Sequence, residues 1–174
     1  MKKAWIAAVL GALLIGTLVG VVWARPNGSP QAAVTTRKVT LTGADFVSSV
    51  DDWDYWNYGD CVLCGSGPCE FVAPVAFPTL SAVTVERIRL HVNDWNDTAS
   101  ATATLYRGNP SQGPGVQWAA VSSPTGSSNG LHTYNSAAVN KVVWPSQRAY
   151  IRLSLPAGGA MGVYGVTVEY HVNS

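Results

Sequence analysis

The chain has 174 residues, 47% hydrophobic and 12% charged, and a net charge of +1. The charged fraction is about half that of an average domain. A balance so near neutral excludes a nucleic-acid surface, which needs clustered cations. No basic amphipathic helix is present for binding at a membrane surface.

Lys2 and Lys3 precede an apolar run from Ala4 to Ala24, the layout of a secretory signal helix. Val22 and Ala24 stand at the positions that signal peptidase reads, so residues 1–24 are expected to be removed. The alternative is an uncleaved membrane anchor, because a run of this length can span a bilayer. The two lysines would then hold the N-terminus in the cytoplasm. Both readings put the remainder outside the cytoplasm, secreted or at the cell surface. Membrane association is expected only if the segment is uncleaved. No Cys closely follows the run, which argues against a lipoprotein anchor. Residues 25–36 are rich in Pro, Gly, Ser, Gln and Ala and read as a flexible spacer. Residues 37–174 are long enough for one domain with its own core.

From Arg37 the pattern is that of a β protein. Val39 and Leu41 alternate with Lys38, Thr40 and Thr42, which predicts a first strand. Phe46 and Val47 mark a second short element. Asp54, Trp56 and Tyr58 share one phase; Trp53, Tyr55 and Asn57 share the other. Val62-Leu63 and Glu70-Phe71-Val72 flank Gly65-Ser66-Gly67-Pro68, so residues 60–72 are predicted to form a hairpin. Val75, Phe77 and Leu80 follow among prolines as a connector.

Ser81 to Val92 reads as a long strand. Val83 and Val85 lie on one phase and Ile88, Leu90 and Val92 on the other, which predicts a bulge or break near Glu86 and Arg87. Asn93-Asp94-Trp95-Asn96-Asp97 is a turn by its side chains, and Thr98 to Arg107 alternates again, completing a second expected hairpin. Val116 to Val121 is a short strand holding Trp118. Residues 132–134 and 142–143 are weaker strand candidates. Arg148 to Leu155 is a clear strand with Ala149, Ile151, Leu153 and Leu155 inward. Met161 to Val172 closes the chain, with Gly165 as a bulge position. No segment after Ala24 sustains a helical period. The predicted fold is therefore an all-β, antiparallel β-sandwich, jelly-roll-like, preceded by the signal helix.

Cys61, Cys64 and Cys69 are expected to form a disulfide rather than hold zinc, because the compartment is oxidising and no fourth ligand has suitable spacing. A turn centred near Gly65 opposes Cys61 and Cys69; one centred on Ser66-Gly67 opposes Cys64 and Cys69. Several runs resemble a group of secreted β-sandwich proteins of environmental bacteria for which no activity is known. They are Cys69-Glu70-Phe71-Val72-Ala73-Pro74-Val75, Asn93-Asp94 at a strand end, Ala103-Thr104-Leu105-Tyr106-Arg107, Ala149-Tyr150-Ile151-Arg152-Leu153 and Tyr164-Gly165-Val166-Thr167-Val168-Glu169-Tyr170. The resemblance spans residues 45–172 and implies a small exported sandwich with a Cys pair near the first hairpin. It implies pairing of Cys61 with Cys69. Cys64, which departs from the group's two-Cys pattern, would be the free thiol.

Two oxygen-rich clusters suggest Ca²⁺: Asp51, Asp52, Asp54 and Asp60, and Asn93, Asp94, Asn96 and Asp97. Neither has EF-hand spacing, and both read as turns and caps, so no metal or cofactor is expected. Short loops leave little room for a glycosidase carboxylate pair, and no Gly-x-Ser-x-Gly elbow occurs. His91 and His171 are expected on an outer face, neighbours if their strands pair, with no assigned role. The aromatics remain. Trp53, Trp56 and Trp95 can stack on sugar rings, with Asp54 and Asn57 bonding hydroxyls, although alternation sends about half of such a strand inward. The expected function is a non-enzymatic binding or adhesion domain for carbohydrate or cell envelope. The alternatives are a structural subunit that self-associates through Cys64 or an open sheet edge, and a small secreted hydrolase.

Overall fold

The computed structural model describes residues 34–50, 54–95, 98–108, 115–126, 129–159 and 161–173. The expected signal helix and its cleavage site lie outside these residues, as do Asp51, Asp52, Trp53, Asn96 and Asp97. Among the described residues no helix is long and apolar enough to cross a membrane.

The compact unit Thr35–Ser174 is all β apart from a single 3-10 turn at Gly43–Asp45 among the described residues. Its strands are β1 (Arg37–Thr42), β2 (Val47–Ser48), β3 (Tyr55–Asn57), β4 (Val62–Cys64), β5 (Cys69–Val75) and β6 (Val83–Asp94). Then come β7 (Thr102–Arg107), β8 (Val116–Ser122), β9 (Leu131–Asn135), β10 (Lys141–Val143), β11 (Ala149–Leu155) and β12 (Met161–Val172). They form two antiparallel sheets. The seven-stranded sheet runs β10-β6-β12-β4-β3, with β9 also on β6 and β1 also on β12. The five-stranded sheet runs β2-β5-β11-β7-β8.

Alternation decides what lies between the sheets. Ala149, Ile151, Leu153 and Leu155 of β11 are buried, as expected, opposite Ile88, Leu90 and Val92 of β6 and Val166 and Val168 of β12. Each such aliphatic side chain contributes about 1.5–3 kcal/mol through burial. The phase change in β6 is a bulge: Val85 pairs with Tyr170 and Arg87 with Glu169, leaving Glu86 unopposed. A second bulge lies in β12, where Val163 pairs with Val92 and Gly165 with His91, leaving Tyr164 over. A Cβ at Gly165 would collide with the Leu41 carbonyl of β1, so only glycine allows this close approach.

Two expected hairpins turn out to be arches between sheets. β4 pairs with β3 and β12 in one sheet, whereas β5 pairs with β2 and β11 in the other. Likewise β6 belongs to the first sheet and β7 to the second. Turn residues close an arch as well as a hairpin, and alternation identifies a strand without naming its partner.

The cysteine pairing expected from the resemblance is also corrected. The disulfide joins Cys64 to Cys69, with their Cα atoms 5.8 Å apart, and Cys61 is free and buried. Cys64 ends β4 and Cys69 begins β5, so the bridge spans the arch and ties the two sheets together. Beside it the Tyr55 ring meets Phe71 edge-on at 5.2 Å, again across the sheets. Cys61 lies under the 3-10 turn, where a Cβ on Gly43 would stand 2.8 Å from the Cys61 nitrogen. Burial, with the Asp60 charge second, raises the Cys61 thiol pKa. Neither Cys61 nor Cys64 is therefore an exposed, reactive thiol of the kind that self-association through a cysteine needs.

β9 and β10 pair along the same side of β6, β9 at residues 89–93 and β10 at residues 83–85. Between them residues 136–140 leave the ladder. Ser136 donates its N–H to the Ile88 carbonyl at 2.9 Å and accepts from the Ile88 N–H at 3.1 Å through its hydroxyl. Val139 is buried, and its N–H donates to Glu86 O at 2.8 Å.

Candidate functional site

The outer face of the seven-stranded sheet carries one continuous row of residues. Trp56 of β3 faces Leu63 of β4. The pairing of Val62 with Val163 sets Leu63 beside Gly162 of β12. Gly162 pairs with Asn93 of β6, and Asn93 with Leu131 of β9. Strand spacing of about 4.8 Å makes this row about 19 Å long.

Gly162 is the low point of the row. A Cβ there would lie 3.7 Å from Leu63 Cγ and 3.9 Å from the Tyr164 ring, so Leu63 and Tyr164 flank a floor with no side chain of its own. The neighbouring bulge re-aims Tyr164, which is 37% exposed in a strand otherwise almost wholly buried. Trp56 is 45% exposed, and its ring edge lies 3.6 Å from the Cβ position of Gly159 in the β11–β12 loop. That loop is held down at the arch: Gly158 N–H donates to Gly65 O at 2.6 Å, and Gly159 N–H to Cys64 O at 2.7 Å. The disulfide, the loop and the row thus form one braced end of the sandwich.

Next to the row the face is polar and largely bonded within itself, although Arg89 Nε is buried without a hydrogen-bond partner. His91 bonds Thr133 Oγ1 through Nδ1 and Thr167 Oγ1 through Nε2, both at 2.9 Å, and Thr167 meets Thr40 at 3.0 Å. Burial, then the charges of Arg89 and Lys38, lowers the His91 pKa and favours its neutral ring. Arg89 pairs with Glu169 at 2.7 Å, and Lys38 approaches the same carboxylate at 3.6 Å. In contrast, Asn93 Oδ1 beside the floor is buried with no hydrogen-bond partner. Such an acceptor costs about 1–3 kcal/mol while it stays unpaired.

The residues expected to bind ligand are dispersed. Trp56 stands on the row. Trp95 is 50% exposed just beyond β6, at the same end of the sheet but separated from Trp56 by β4 and β12. Asp54 is exposed, and its carboxylate rests against Gly65, where a Cβ would stand. Asn57 has both polar atoms engaged: Nδ2 donates to Gly43 O at 2.9 Å and Oδ1 accepts from Gly59 N–H at 2.9 Å. Its amide fixes the turn beneath Trp56. Trp53 lies outside the described residues. Leu63, Asn93, Gly162 and Tyr164 escaped the sequence reading as a group. One signal was legible, a glycine inside a strand rich in β-branched residues, which marks a bulge or a close approach.

His91 and His171 are not neighbours, although their strands pair. His91 is opposite Gly165, and His171 is opposite Thr84. His171 Nδ1 donates to Glu86 Oε1 at 2.8 Å, and Thr36 Oγ1 donates to the other oxygen at 2.9 Å. The His171 bond foremost lowers the Glu86 pKa. Among the described residues no group of three or more His, Cys, Asp or Glu is placed to hold a metal.

No known family model matches the chain, and no curated protein is similar to it in sequence. Solved structures are similar in fold. The C-terminal carbohydrate-binding module CBM6 of LamC, a marine laminarinase from Zobellia galactanivorans, aligns over 76% of this chain and 98% of its own, at 14% identity and a TM-score of 0.48. The carbohydrate-binding module CBM36, solved with calcium and xylotriose, aligns over 76% of this chain and 98% of its own, at 13% identity and a TM-score of 0.47. The xylan-binding module CBM15 aligns over 80% of this chain and 99% of its own, at 14% identity and a TM-score of 0.45.

Proposed function

We propose that the domain is an exported, non-enzymatic carbohydrate-binding module whose ligand lies across the outer face of the seven-stranded sheet. The observation that carries this reading is the row Trp56–Leu63–Gly162–Asn93–Leu131 with Tyr164 beside it. The two exposed rings supply apolar faces for sugar C–H groups. Gly162 lets a flat ring approach the backbone. Asn93 brings an amide side chain to the row beside that floor. The row is longer than one ring, which favours an oligosaccharide over a monosaccharide. Asp54 and Trp95 stand at its margins and extend the contact for a longer chain. Binding needs no metal in this arrangement, because the row offers rings, an amide and apolar surface rather than a carboxylate set.

A polysaccharide and glycan array tests the proposal, with Trp56→Ala and Tyr164→Ala as controls. Binding to a neutral glycan that both variants weaken supports it. No binding to any glycan, or binding that neither variant weakens, overturns it.

A further inference from the structure

Two clefts meet at Arg148, at the opposite end of the sandwich from Gly162. The first, about 330 Å³, is walled by Phe77, Trp144 and Pro145, with Pro74 and Arg148. The second, about 320 Å³, lies over the outer face of the five-stranded sheet among Val47, Val72, Tyr150 and Gly108, again with Pro74 and Arg148. Both are of a size that holds a small ligand or part of a chain.

Their chemistry is one-sided. Among the described residues no Asp or Glu lines either cleft. Arg148 is exposed, and among the described residues its guanidinium forms no ion pair. Its backbone is held, because the Arg148 carbonyl accepts from the Gly108 N–H at 2.9 Å. Trp144 is 58% exposed on a closed turn: Gln147 N–H donates to Trp144 O at 2.8 Å, and the Trp144 backbone N–H donates to Gln147 Oε1 at 3.2 Å. The Tyr150 ring is buried against Tyr106, and its hydroxyl accepts from the Gly115 N–H at 3.2 Å. An unpaired guanidinium fork in a cleft with an exposed indole suits an oxyanion attached to a ring.

We propose that the Arg148 clefts bind an anionic substituent carried on a glycan, either the carboxylate of a uronate or a sulfate ester. The glycan nature of the ligand rests on the reading of the preceding section; the site and its residues are separate from that row. Arg148 makes the bidentate contact, and Trp144 and Pro145 take the face of the sugar.

Calorimetric titration with oligogalacturonate, a sulfated galactan oligosaccharide and a neutral galactan of equal length tests this. Wild type, Arg148→Gln, Arg148→Lys and Trp56→Ala are compared after their melting curves have shown that each is folded. One anionic chain is expected to bind more tightly than the neutral one, and which of the two does so identifies the substituent. Arg148→Gln should weaken that binding about tenfold or more, Arg148→Lys less, and added salt should weaken it too. Trp56→Ala should leave the Arg148-dependent binding in place. Neutral and anionic chains binding alike, or Arg148→Gln leaving the anionic affinity within about twofold, overturns the proposal. Failure here with a neutral glycan still bound through Trp56 leaves the first site standing. Arg148-dependent binding with no Trp56-dependent ligand overturns the first site alone.

Discussion

The two ends of the sandwich are built on different principles. The Gly162 end is braced by a disulfide across an arch, by two short hydrogen bonds from the β11–β12 loop, and by Tyr55 against Phe71. It offers a shallow row. The Arg148 end has no disulfide among the described residues; there Phe77, beyond β5, meets Tyr170 of β12 edge-on at 4.9 Å, and two clefts lie alongside. One end offers a row across a sheet face, and the other offers clefts with room for a side group. The polar groups differ in the same sense. At the braced end an amide oxygen lacks a donor, and at the open end a guanidinium lacks an acid.

The comparison breaks most readily at Gly162. Its backbone is one that other residues adopt, and a Cβ there meets only ordinary contacts. Gly162→Leu should fold yet lose neutral-glycan binding altogether while leaving any Arg148-dependent binding intact, which parallel titrations would show. Next is the staple. Closing so short a loop is worth about 2 kcal/mol, so the Cys64→Ser/Cys69→Ser double variant should lose that much in denaturant unfolding and weaken the row. Cys61→Ser should retain the bridge, as mapped by peptide mass analysis. An intact bridge in Cys64→Ser would contradict the pairing. Trp56→Ala should lower neutral-glycan affinity about tenfold with little loss of stability, as fits a half-exposed stacking ring.

The smallest expected effect is on pH. His91 has a lowered folded-state pKa, so its contribution to stability is present above its unfolded value, about 6.5, and is lost as the pH falls below it. Glu86, also lowered, contributes above the unfolded carboxylate value, about 4.3, and that contribution is lost as the pH falls through its folded value. Melting temperature should therefore fall in two stages on acidification. His91→Gln should remove the first stage, and an unchanged profile in that variant would exclude His91 as its source.

Much of this architecture is legible in the residues. Alternation locates β1, β6, β7, β11 and β12, and the phase change at Glu86 marks its bulge. Partners are less legible. Residues 60–72 and 93–107 carry strand and turn signals that fit a hairpin and an arch equally, and the choice depends on sheets assembled from distant segments. The disulfide followed the same uncertainty, since the turn's centre decides which cysteine faces Cys69. The row was obscured for another reason. Leu63, Asn93 and Gly162 come from three strands, and what joins them is register across the sheet rather than proximity in the chain. Trp144 is exposed because β10 ends just before it and the turn carries it out.

The gap between β9 and β10 bears on how copies of this molecule meet. An incoming strand needs an unbroken line of free N–H and C=O groups, and Ser136 and Val139 spend theirs inward on β6. The outer margin of the seven-stranded sheet on this side is thereby a poor template for strand addition. The contrasting margin is β8, seven residues long, which among the described strands pairs with β7 alone. Growth by strand addition, if these sandwiches polymerise at all, would start there, and so would the choice of a site for a proline that prevents it.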